Sequence, residues 1–199
     1  MITLDKINNS DPYDAFKIFY DKAILKNQKS IEAIAVSSFN TESNEVESRY
    51  VNLKYICDDR WIFFTNYNSQ KSQDFENHNQ ISVLFYWQST NVQIRLKAKI
   101  KKCSQEFSDL HFKNRSDSKN ALAISSNQSE PIASYNEIVN NYNITFNNKS
   151  LLSNRPESWG GFEFTPYYFE FWEGQDSRLN KRQIFSMKDN SWSSFFLQP

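Results

Sequence analysis

The stretch "VQIRLKAKIKK" at residues 92–102 decides the fold. Val92, Ile94, Leu96, Ala98 and Ile100 alternate with Gln93, Arg95, Lys97, Lys99 and Lys101. Successive side chains on a strand point to opposite faces, so one face of this strand is buried and the other is wet. Antiparallel sheets commonly keep one face in water. Toward the N-terminus, the apolar runs "ISVLFYW" (81–87), "WIFFTN" (61–66), "VESRYVNLKYI" (46–56) and "IEAIAVSSF" (31–39) continue the series. Turn formers such as "NTESNE" and "DDR" separate them. Downstream, "GFEFT" (161–165), "YFEFWEG" (168–174), "QIFSM" (183–187) and "SWSSFFL" (191–197) read as four further strands. Their number and short connections predict a mainly β fold, an antiparallel barrel that is closed or nearly so.

Helices sit around this sheet. Asp11 followed by Pro12 reads as an N-cap and first helical position, and Phe16, Phe19, Ala23 and Ile24 repeat at helical spacing, predicting a helix over 12–26. "SQKSQDFENH" (69–78) reads as a short helix capped by Ser69. Residues 105–150 are rich in Ser and Asn, with helical stretches near 105–114, 118–126 and 134–148. They read as a helical insertion within a single domain spanning 1–199.

Composition narrows the function. The chain has 199 residues, 39% of them hydrophobic and 16% aromatic, enough for a sizeable core despite a mean hydropathy of −0.71. Lys+Arg and Asp+Glu balance at 23 each, so no global field favours nucleic acid or an anionic membrane, and any anion site must be local. No stretch reads as a signal peptide or approaches the roughly 20 apolar residues of a spanning helix. With two cysteines, Cys57 and Cys103, a reducing cytoplasm is the simplest setting. These cysteines and the histidines His78 and His111 lack zinc-site spacing, and no metal is expected. Only Gly160, Gly161 and Gly174 occur, which excludes Gly-rich phosphate loops. A nucleotide-like ligand must then be held by side chains and strand-end amides.

Donors gather at three strand ends. In "SRYVNLK" (48–54), Arg49 and Lys54 pair a planar fork with a point charge, although their odd spacing puts them on opposite faces of a regular strand, where they read equally as solvated cations. In "FFTNYNSQK" (63–71), a strand gives way to Thr65, Ser69, Gln70 and Lys71 at a helix N-terminus, which suits either an anion or simple capping. In "FWEGQDSRLNKR" (171–182), Trp172 offers a flat surface beside Arg178, Asn180 and Arg182. No acid/base dyad and no Ser–His–Asp arrangement is visible. The equipment suits gripping an anionic planar ligand that brings its own chemistry.

With "SRYVNLK", "FFTNYNSQK", "SVLFYW", "SWGGF" and "FEFWEGQDSRLNKR" in this order, nearly the whole chain resembles the pyridoxamine (pyridoxine) 5'-phosphate oxidase family. The resemblance implies an FMN-binding split β-barrel with peripheral helices, assembled as a homodimer with FMN at the subunit interface. It implies oxidation of pyridoxamine or pyridoxine 5'-phosphate by dioxygen, giving pyridoxal 5'-phosphate. Carried over, Arg49, Ser69, Gln70 and Lys71 would hold the FMN phosphate. Tyr50, Lys54, Phe64, Thr65, Gln93, Gln128, Ser129, Trp172 and Arg182 would complete the cofactor site. Lys54, His111, Arg115, Lys119, Arg178 and Asn180 would face a small phosphorylated pyridine, with Arg178 and Asn180 nearest the chemistry.

Four positions depart from the family pattern. Gln70 stands where an arginine is usual, His111 for a tyrosine, Lys119 for a serine, and Asn180 for a histidine in Arg178-Leu179-Asn180-Lys181-Arg182. Losing one charge-assisted contact costs about 1.5–3 kcal/mol, so Gln70 alone does not abolish FMN binding. Asn180 matters more, because it cannot take a proton near neutral pH. A different substrate, or flavin binding without catalysis, are the readings these departures would favour.

Overall fold

A computed structural model describes all residues, 1–199. In chain order the elements are β1 (Thr3–Asp5), α1 (Asp11–Leu25), β2 (Ala33–Asn40), β3 (Glu45–Asn52), β4 (Tyr55–Cys57), β5 (Arg60–Asn66), α2 (Gln70–Asn77), β6 (Gln80–Trp87), β7 (Val92–Lys102), α3 (Gln105–Lys113), α4 (Asp117–Ser125), α5 (Tyr135–Asn147), β8 (Trp159–Glu173), β9 (Lys181–Lys188) and β10 (Ser191–Leu197). The strands form one sheet in the order β1-β4-β5-β8-β7-β6-β2-β3, with β9 and β10 branching from β8. Every pairing is antiparallel except β1 with β4, which is parallel and departs from the all-antiparallel expectation.

The alternation in 92–102 holds residue by residue, with Val92, Ile94, Leu96, Ala98 and Ile100 all buried. They join a core of 28 buried residues in which Phe16 from α1 meets Trp61 edge-on at 4.6 Å. The helix α1 forms and turns Phe16, Phe19, Tyr20 and Ala23 inward, but Ser10 and not Asp11 is its N-cap and Ile24 faces solvent.

Two strand readings need correction. Residues 46–56 are not one strand. β3 follows β2 as far as Leu53, which is fully buried with its amide on Glu32 O at 2.8 Å, and the Lys54 amide then turns to Ile62 O at 2.8 Å so that β4 pairs with β5 instead. Residues 161–165 and 168–174 are not two strands but parts of the 15-residue β8. Pro166 does not end it. The register against β7 shifts between Lys97 and Ala98, where Tyr168 and Pro166 are the successive partners, so Tyr167 bulges out and absorbs the proline. α3, α4 and α5 fall between β7 and β8 as expected. No helix is long and apolar enough to cross a membrane.

Candidate active site

The end of β5 builds the first part of the site. Asn66 Oδ1 accepts from the Asn68 amide at 2.8 Å, and Asn66 O accepts from the hydroxyls of Ser69 (2.7 Å) and Ser72 (2.8 Å). This folds the chain from strand into α2. Ser69 occupies the N-cap position, yet its hydroxyl makes no capping bond to the helix amides, contrary to the capping expectation. It lies instead beneath Lys71, whose ammonium donates to Ser69 Oγ at 2.8 Å, Thr65 Oγ1 at 3.0 Å and Gln128 Oε1 at 3.4 Å. All three acceptors are neutral, and Lys71 is only 7% exposed. Burial, and then the Arg49 charge, pull its pKa down to about 8. A buried ammonium with no carboxylate in contact is a strong anion receptor.

Arg49 stands beside it. Its Nη1 donates to Ser38 Oγ at 2.6 Å and Glu47 O at 3.0 Å, and Ser38 in turn donates to the buried Asp74 carboxylate at 2.6 Å. Asp74 also accepts from Gln70 Nε2 at 3.1 Å, so Gln70 is tied to the carboxylate that steadies Arg49. The break at Leu53 resolves the odd spacing of Arg49 and Lys54, since both line the same cavity.

That cavity holds about 860 Å³. Arg49, Lys54, Lys71, Arg115 and Lys119 line it against a single carboxylate, Glu47. Tyr50, Phe64, Thr65, Gln70, His111, Gln128 and Ser129 line it too, whereas Ser69 touches it only through Lys71. One wall is an aromatic slab. His111 lies flat on Phe64 with ring centres 3.7 Å apart, Phe64 stacks on Trp159 at 5.3 Å, and the Arg115 guanidinium covers Trp159 at 4.1 Å. His111 Nδ1 is paired with the Tyr55 hydroxyl at 2.8 Å. Burial, reinforced by Arg115, Lys54 and Lys119, pushes its pKa down to about 4, so the ring is neutral. Burial lowers Arg115 to about 10, which still leaves it charged at neutral pH. Its Nη2 donates to Lys119 O at 3.1 Å, while Nη1 is buried without any partner.

The other expected residues lie elsewhere. Gln93, Trp172 and Arg182 surround a separate niche of about 220 Å³, shared with Arg95, Glu170 and Pro199. Gln93 and Arg182 are the cross-strand partners of Trp172 on either side of β8. From Trp159 to Trp172 this strand advances roughly 40 Å, further than any single mononucleotide reaches. Arg178 and Asn180 sit in the turn after β8 and line neither cavity. Asn180 Oδ1 accepts from the Gln175 amide at 3.0 Å, the Arg178 amide donates to Gln175 O at 2.9 Å, and Arg178 itself is left-handed at φ 61°.

The pyridoxamine 5'-phosphate oxidase family model matches residues 21–142, and a model described as the pyridoxine 5'-phosphate oxidase C-terminal dimerisation region matches 159–199. The chain belongs to this family. Among curated relatives, a pyridoxine/pyridoxamine 5'-phosphate oxidase of Hydrogenovibrio crunogenus is 32% identical over 96% of this chain and 89% of its own. One from Leptospira biflexa is 31% identical over 95% and 89%. Two solved structures share the fold. PhzG of Burkholderia lata, in complex with tetrahydrophenazine-1-carboxylic acid, superposes with a TM-score of 0.90 at 23% identity, over 96% of this chain and 93% of its own. A pyridoxamine 5'-phosphate oxidase-related, FMN-binding protein of Nostoc punctiforme gives 0.76 at 12% identity, over 96% and 99%.

The protein is therefore a flavin oxidoreductase of the pyridoxamine 5'-phosphate oxidase type. Four of its site residues escaped sequence reasoning. Trp159 and Tyr55 carry the aromatic slab but stand in strands where aromatics are common. Asp74 and Glu170 are buried carboxylates, 2% exposed each. Glu170 had one legible signal, its position directly across the sheet from Arg95.

Proposed function

We propose that the protein is a homodimeric FMN-dependent oxidase converting pyridoxamine or pyridoxine 5'-phosphate to pyridoxal 5'-phosphate. The observation that carries this reading is the buried Lys71 ammonium, with no carboxylate in contact, opening into a cation-lined cavity with an aromatic wall. The donor set fits FMN. Arg49 and Lys71, with Ser69 and Gln70 behind them, suit its phosphate, and Tyr50, Thr65, Gln128 and Ser129 offer polar contacts along it. A second set of cations remains for a substrate phosphate, namely Arg115 with its orphaned Nη1, Lys119 and Lys54.

The niche around Gln93, Trp172 and Arg182 is too far along β8 to serve the same cofactor in one chain. In a homodimer the partner's niche would complete each site, and β10, with Phe195, Phe196 and Leu197 exposed within the dimerisation region, supplies apolar surface for that contact. FMN held by these residues would supply a two-electron oxidation with dioxygen as final acceptor and hydrogen peroxide as product. The alcohol substrate would give the aldehyde directly, and the amine substrate would give an imine that water hydrolyses to the aldehyde and ammonia. The protein's own part is to orient the pyridine and anchor two phosphates, which is catalysis chiefly by proximity. Neutral His111 can take part in hydrogen bonding without adding charge.

A second reading, the same flavin chemistry on another substrate, is favoured by one observation: Asn180 is occupied in closing its own turn. Anaerobic titration with pyridoxamine 5'-phosphate tests both. Bleaching of the flavin spectrum is expected, and its absence with both vitamer phosphates would favour the second reading.

A further inference from the structure

Glu170 is a carboxylate near the C-terminal end of β8 with almost no exposure, and both of its oxygens are engaged. Oε1 accepts from Arg182 Nε at 2.8 Å, with Arg182 Nη2 at 2.7 Å from the same oxygen. Oε2 accepts from Arg95 Nη1 at 2.9 Å and from the Tyr168 hydroxyl at 3.2 Å. The two arginines come from the strands flanking β8, Arg95 from β7 and Arg182 from β9, so one carboxylate clamps guanidinium groups from both sides. Arg182 is further tied through Nη1 to Gln198 O at 3.0 Å, next to the Pro199 that closes the niche.

A buried ion pair of this kind is often no better for stability than apolar residues of the same volume. What the carboxylate adds is direction. It fixes two planar forks beside Trp172 and Gln93, both held on one side-chain carboxylate. Arg95 is half-exposed and commits only Nη1 to Glu170, leaving other N–H donors unused. Such a niche suits a flat ring with an electron-rich polar edge.

Resting on the shared-site reading above, we propose that Glu170 is a positioning residue for the ring end of the cofactor, and that Arg95 is a further contact residue beside Arg182. The test is fluorescence titration of FMN into the apo-dimer, with melting temperatures of the apo-proteins alongside. Arg95→Gln, at a half-exposed position, is expected to weaken FMN binding about tenfold without moving the apo melting temperature. Glu170→Gln is expected to weaken it by about tenfold or more, and the double variant to be no worse than Glu170→Gln, because the two act through one network.

Wild-type affinity in Arg95→Gln and Glu170→Gln, with FMN lost in a Lys71→Ala control, would overturn this proposal and leave the cofactor reading standing. A lowered melting temperature with unchanged affinity in Glu170→Gln would also overturn it, reducing the carboxylate to a structural part. Should Glu170→Gln not fold, Arg95→Gln decides alone. A wild-type protein that takes up no FMN would overturn both readings together.

Discussion

Trp159 and Trp172 begin and all but end a single strand, the first walling the large cation-lined cavity and the second the small niche. On the proposed reading neither cluster is a whole cofactor site. If the partner completes each one, Lys71→Ala and Arg182→Ala damage opposite halves. Co-expressed as a mixed dimer, the two variants leave one site intact and one doubly broken. We expect about one FMN per mixed dimer at wild-type affinity, measured by flavin absorbance after tandem-tag purification. No recovery over the homodimeric variants would show that the clusters do not meet.

Removing the cations of the large cavity should empty it. Each charge-assisted contact is worth about 1.5–3 kcal/mol, or about one to two orders of magnitude in affinity. Arg49→Ala combined with Lys71→Ala should give a colourless but folded protein, checked by circular dichroism and the visible spectrum. Stoichiometric flavin in that variant would remove the phosphate site.

Lys71 also sets a pH dependence. Its folded pKa of about 8 lies below the ordinary 10.5, and an anion beside the ammonium favours the charged form. Affinity for FMN should therefore be full just below pH 8 and fall as the pH rises through that value, by at most about tenfold per pH unit. Dissociation constants measured from pH 7 to 9.5 should show this slope in the wild type and lose it in Lys71→Met.

Asn180 supplies the side-chain acceptor that closes the turn carrying Arg178. Asn180→Ala frees the Gln175 amide and should raise KM for the vitamer phosphate several-fold, while Asn180→Asp keeps the acceptor and stays near wild type. FMN affinity should be the same in both. Steady-state kinetics with equal KM values would deny the turn any part in substrate binding.

Gly161 pairs with Phe64 beneath the aromatic slab, and a Cβ there would lie 2.8 Å from Cys103 Sγ and 3.1 Å from a Phe64 ring carbon. Gly161→Ala should cost about 1–3 kcal/mol in urea unfolding, and adding Cys103→Ala should recover part of it.

How far the sequence could be read depended on how local the cause was. The strand at 92–102 was legible because burial alternates with every residue. Residues 46–56 were not, because the chain changes partner at 53–54, leaving β2 for β5, and that switch is set by the sheet and not by the local sequence. Pro166 reads as a strand end, yet a one-residue bulge against β7 carries the chain through it. At the candidate site, the cations were legible as residue types at strand ends. Their division between two distant places was not, because it follows from the length of β8. Asn180 looked like an altered substrate contact, and only its bond to Gln175 reveals its present occupation.

That length has a consequence for dilution. On the shared-site reading a solitary subunit owns two unmatched halves and no working centre. Specific activity would then be constant at high protein concentration and fall in proportion to concentration once dimers come apart, so that total rate drops with its square.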